Sequence, residues 1–103
     1  MNPGVRFEDE AEAEYRLAGR WYEGRRTDLG LEFFDAVDAI IRQIIDLPRS
    51  GSTMPRMSSD LPVRRMAVKR FPYHVIYLET QTHIRILAIA HDRRKPGYWK
   101  SRL

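Results

Sequence analysis

At residue 63 the hydrophobic period of this chain changes from helical to alternating, and that change limits the folds open to it. Upstream, Ala11, Tyr15, Ala18, Trp21 and Tyr22 recur at helical spacing from about Glu8 to Glu23, with acidic residues in the first turn, where the helix dipole favours them. Gly24 and the residues up to Gly30 supply a break, with Thr27 or Asp28 as the expected cap of the next helix. From Leu29 to Asp46 a second stripe follows, built from Phe33, Phe34, Val37, Ile40, Ile41 and Ile44. Leu47-Pro48 ends it, because proline disfavours helical backbone in the residue before it. Residues 48–62 are rich in Pro, Ser and Gly and read as a loop. Downstream, Val63–Lys69, Tyr73–Thr80 and His83–Ala90 alternate as strands, and connections as short as Gln81-Thr82 require antiparallel pairing. Val5–Phe7 reads as a very short leading strand. The expected fold class is α+β: one domain over residues 1–103, with an N-terminal helical hairpin packed on a mainly antiparallel sheet.

Composition narrows the function classes. No apolar run approaches the roughly 20 residues that span a bilayer. The acidic start lacks the basic-then-apolar layout of a signal peptide, so no membrane partner and a cytoplasmic location are expected. The chain has no cysteine, which excludes disulfides, thiolate metal sites and a thiol nucleophile. Carboxylates are scarce around the histidines, so neither a metal nor another cofactor is expected. Charge is divided along the chain: residues 1–51 hold 7 basic against 11 acidic side chains, and residues 52–103 hold 11 against 3. The first half is therefore net −4 and the second net +8, and 15 of the 18 basic residues are Arg. A cationic second half calls for a polyanionic or acidic partner.

Strand register orders the candidate residues. A two-residue turn at Gln81-Thr82 sets Tyr77 opposite Ile86 and His74 opposite Ile89, and a turn from Arg70 to Tyr73 sets Val68 opposite Val75 and Lys69 opposite His74. One face then carries Met66, Val68, Val75, Tyr77, Ile84, Ile86 and Ala88 for the helices to cover. The other gathers Arg65, Lys69, His74 and His91 among Ile76, Leu78, Leu87 and Ile89. A slip of one residue would place Arg65 and Lys69 unpaired under the helices, which is costly. An exposed face that mixes apolar and cationic groups is expected to be a binding surface.

The runs RRMAVKRFPYHVIY (Arg64 to Tyr77) and IRILAIAHDRRKPGYWKSRL (Ile84 to Leu103) resemble the RelE/ParE superfamily of bacterial toxins, as does EFFDAVDAIIRQIIDLP in the second helix. The resemblance covers nearly the whole chain and implies a type II toxin neutralised by a small antitoxin. It also implies one of two activities: RelE-like members cleave messenger RNA on the ribosome, and ParE-like members inhibit DNA gyrase without hydrolysing RNA. Carried over from the nuclease pattern, Arg65 and Lys69 sit on the first long strand and Arg93 follows the last. His74 stands where Arg is usual, and Trp99 where Tyr is usual, with Tyr98 adjacent.

Metal-free RNA cleavage needs a base, an acid and cations over the phosphate. Arg65, Lys69, His74, His91 and Arg93 form the candidate catalytic set. Arg94, Lys95, Tyr98 and Trp99 form the candidate nucleic-acid or partner-binding set, since cations interleaved with rings suit unpaired nucleotides and an acidic segment alike. Ribosome-dependent endoribonuclease, gyrase inhibitor and, outside the superfamily, a small basic RNA-binding module are the functions to separate. The antitoxin is expected to lay an acidic amphipathic segment on the mixed face, with apolar anchors at Ile76, Leu87 or Ile89 and carboxylates at Arg65 and Arg93. Trp21 and Tyr22 read as core, Phe71-Pro72 as a turn and His83 as plain surface.

Overall fold

A computed structural model describes residues 4–54 and 62–103; residues 55–61 of the expected loop lie outside the described residues. The order is β1 (Gly4–Phe7), α1 (Asp9–Arg25), α2 (Leu29–Asp46), β2 (Ser52–Thr53), β3 (Val63–Ala67), β4 (Tyr73–Glu79), β5 (His83–His91) and a 3₁₀ turn (Lys100–Arg102). The five strands form one sheet in the order β1-β5-β4-β3-β2. β1 runs parallel to β5, and the β2–β3, β3–β4 and β4–β5 pairs are antiparallel. The two helices, the leading strand and the three sequential strands therefore stand where the hydrophobic period placed them.

Local chemistry explains the hairpin. Asp9, Glu10 and Glu12 occupy the first turn of α1 and Arg25 its last, both in the sense the helix dipole favours. Asp28 is the N-cap of α2 but makes no side-chain cap bond; its backbone is left-handed, at φ 71°. Glu23 caps α2 in its place, accepting from the backbone N–H of Asp28 at 2.9 Å and of Gly30 at 3.0 Å. Gly19 lets the helices approach closely, because a Cβ there would collide with the ring of Phe34.

Two apolar clusters lie on opposite faces of the sheet. The helix side buries Phe33, Val37, Ile44, Val75, Tyr77, Ile84 and Ile86 completely. Tyr77 keeps its buried hydroxyl satisfied by donating to Pro48 O at 2.8 Å and accepting from Gly51 N–H at 3.0 Å, which pins the chain leaving α2. On the far side, Val63, Ile76, Leu78, Leu87, Ala88 and Ala90 pack against Trp99, which is 2% exposed. The mixed face is thus covered by the C-terminal tail and is not the open binding surface expected from the sequence.

The register corrects the expected pairing in two places. Tyr77 does face Ile86, but Ile76 faces Ala88, so Leu87 is an extra residue in a β-bulge. Beyond it His74 faces Ala90, not Ile89. The bulge carries Ala88 to the tail side and Ile89 to the helix side, where each joins the other cluster from the one expected. In the first hairpin Met66 faces Val75 and Ala67 faces His74. That is a shift of two residues, which preserves the faces but moves Lys69 off the strand and into the turn.

Candidate functional site

β1 ends opposite Ile86, so from the bulge onward the outer edge of β5 has no strand beside it. Its backbone groups are taken by side chains instead. The Arg102 guanidinium donates to Leu87 O at 2.9 Å, and the Glu14 carboxylate accepts from Ile89 N–H at 3.1 Å. Arg102 and Glu14 also pair with each other through two guanidinium nitrogens, at 2.9 and 3.1 Å, with side chains only 11% and 17% exposed. Tyr98 donates its hydroxyl to the same carboxylate at 2.6 Å. The hydrogen bonds to Glu14 hold the Arg102 pKa above its ordinary value, and burial first, then Glu14, raises that of the Tyr98 phenol. This latch fixes the tail across the sheet.

Two grooves border the latched tail. The smaller, about 240 Å³, brings Arg65, His74, His91, Arg94, Lys95, Tyr98 and Trp99 together. In it His74 donates from Nδ1 to Asp92 Oδ1 at 2.8 Å, which orients the ring. The larger groove, about 570 Å³, runs between α1 and the end of the sheet, and His91, Arg94 and Tyr98 border both. His91 stacks edge-on against Tyr73, ring centroids 5.0 Å apart, and its Nδ1 accepts from the backbone N–H of Arg93 at 3.0 Å. Arg94 lies 3.9 Å over the Tyr98 ring.

The candidate residues are only partly gathered. Lys69 stands apart, in a separate groove also lined by residues of α2, and its neighbour Arg70 donates to Glu32 at 2.9 Å. Arg93 is exposed and lines neither groove. Trp99 offers no free ring face, since it fills the tail-side cluster. Trp21 corrects the expectation of a core residue: it is 55% exposed, while Tyr22 packs against Phe33 and Phe71 as expected. Glu14, Asp92 and Arg102 were not singled out from the sequence. Asp92 had a visible signal in its place between His91 and Arg93, whereas Glu14 and Arg102 lie 88 residues apart.

Among the described residues no three His, Asp or Glu side chains cluster so as to hold a metal ion, and no helix is long and apolar enough to cross a membrane. A family model described as the ParE toxin of the type II toxin–antitoxin system parDE matches residues 5–96. The chain belongs to the ParE toxin family. It is a type II toxin of a ParDE-like system, and its membership implies an antitoxin partner. Among solved structures, the chromosomal ParDE toxin–antitoxin system from P. aeruginosa is similar, with a TM-score of 0.70 and 18% identity, covering 86% of this chain and 95% of that one. No curated protein matches the sequence. The likeness to the P. aeruginosa chain extends to the fold: two helices packed on a mixed five-stranded sheet.

Proposed function

We propose that this ParE-family toxin arrests growth by binding DNA gyrase, without cutting RNA. The observation that carries this is the dispersal of the nuclease set. Lys69 lines a different groove, shared with α2, away from that of Arg65 and His74. The position where a tyrosine hydroxyl is usual holds the buried Trp99, and the adjacent Tyr98 gives its proton to Glu14. A proton donor held this way is a poor general acid, because burial first, then the carboxylate, favours the protonated phenol. What remains is a cationic surface along the latched tail, suited to association.

The oriented His74–Asp92 pair beside Arg65 favours a second reading, ribosome-dependent cleavage of messenger RNA with His74 as base. Purified toxin incubated with gyrase and supercoiled plasmid, and separately with translating ribosomes, separates the two. Gyrase arrest with intact messenger RNA is the expected result. Cleaved messenger RNA with gyrase unaffected overturns the proposal and moves the function to His74.

A further inference from the structure

We propose that the smaller groove holds a backbone phosphate of duplex DNA, so that the toxin grips the DNA that gyrase carries as well as the enzyme. The inference rests on the gyrase proposal for the source of the DNA alone; the chemistry of the groove stands apart from it. Arg65, Arg94 and Lys95 are exposed and line the groove. Among the described residues none of the three has a carboxylate within ion-pair distance, in contrast to Arg26, Arg70, Arg85 and Arg102. The carboxylate that lines the groove, Asp92, is already taken up by His74 Nδ1 at 2.8 Å. Three cations gathered without counter-charge repel one another, and a bound anion relieves them.

Neutral donors select the same class of ligand. His91 Nδ1 accepts from the Arg93 N–H at 3.0 Å, so the proton of the neutral ring sits on Nε2 and that nitrogen donates. Trp99 is 2% exposed, and its indole N–H has no acceptor among the described residues. No fully buried side-chain nitrogen there lacks a partner, so this N–H reaches open space, and the groove is the space that Trp99 lines. Cations and N–H donors together match the non-bridging oxygens of a phosphodiester, which only accept. An acidic peptide would want apolar anchors beside its carboxylates, and Ile76 and Ala90 in the groove are already buried. The rings offer nothing to a base either: Arg94 lies 3.9 Å over the Tyr98 ring, and Trp99 is enclosed. Without a stacking platform the site reads backbone charge and no sequence, which favours the dense phosphates of a duplex over an unpaired strand.

The test uses full-length toxin, without gyrase, and four probes: a short mixed-sequence DNA duplex, one of its strands, the matching RNA duplex and polyglutamate. The DNA duplex should bind, with log affinity falling against log salt at a slope of roughly −3, as for about three neutralised phosphates. Arg65→Gln and Lys95→Gln should each weaken binding roughly fivefold and make the slope shallower by about 1. Arg42→Gln, which removes an exposed charge from α2 outside the groove, should stay within about twofold of wild type. The single strand and the RNA duplex should bind no tighter than the DNA duplex, and polyglutamate at least about tenfold more weakly. In ¹H–¹⁵N spectra the Trp99 indole signal should move as duplex is added while that of Trp21 stays. This measurement needs no substitution, so it holds even where a variant folds poorly. Groove variants no weaker than Arg42→Gln, or a Trp99 signal that does not move, would overturn the assignment. So would a single strand, an RNA duplex or polyglutamate that binds several-fold tighter than the DNA duplex, each pointing to a different occupant. A toxin that binds duplex through these residues yet leaves gyrase active breaks the gyrase proposal and not this one. Gyrase arrest by a toxin with no affinity for duplex does the reverse.

Discussion

The two faces of the sheet are buried by different means. On the helix side, α1 and α2 bring two amphipathic stripes and an aromatic cluster in which Phe33 contacts Tyr22, Phe71 and Tyr73 at centroid distances of 5.1–5.3 Å. On the tail side a single tryptophan and a short 3₁₀ turn close the surface, held by the Arg102–Glu14 pair and the Tyr98 hydroxyl. A helical face is redundant, since many contacts share the load. The tail depends on a few directional polar bonds, each formed across most of the chain length. Its closure also determines which surface is left for partners.

The most severe way to break the comparison is to remove the anchor of each face. Phe33→Ala and Trp99→Ala should each cost about 3–5 kcal/mol, because both are fully buried aromatic rings. Denaturant unfolding checks this, and a loss below about 1 kcal/mol for Trp99→Ala would mean that the tail contributes little to the fold. Next in size is the latch. Glu14→Gln leaves the Arg102 guanidinium largely buried without its counter-charge and should cost about 3 kcal/mol. Adding Arg102→Met should recover part of that loss, a coupling that a double-mutant cycle measures.

Within the helix-side cluster, Tyr77→Phe removes the bridge between Pro48 and Gly51 and leaves the Gly51 N–H without its partner. The expected cost is about 1–2 kcal/mol, seen as a lower unfolding midpoint. The smallest effect is in pH. Arg70, then Arg26, hold the Glu32 carboxyl below its ordinary pKa. Its folded pKa is therefore lower than its unfolded one, and the stability it adds is full above the ordinary carboxylate range and lost as pH falls through the folded value. Thermal melts of wild type and Glu32→Gln should converge in acid and separate towards neutrality, with the wild type the more stable. The pair is exposed, so the separation should be slight and should shrink in salt.

Residue periodicity by itself determined the two helices, the three sequential strands, the faces of Val75, Tyr77, Ile84 and Ile86, and the length of the hairpin turn at Gln81-Thr82. These rest on local rules, helical or alternating spacing and turn length, that a single segment expresses without its neighbours. Tertiary structure alone decided the bulge at Leu87, which sent Ala88 one way and Ile89 and His91 the other. It decided the turn that took Lys69 off β3, the exposure of Trp21 and the burial of Trp99. A bulge has no period of its own. It is stable here because Glu14 and Arg102 satisfy the backbone it frees, and those two residues meet only after the whole domain has closed.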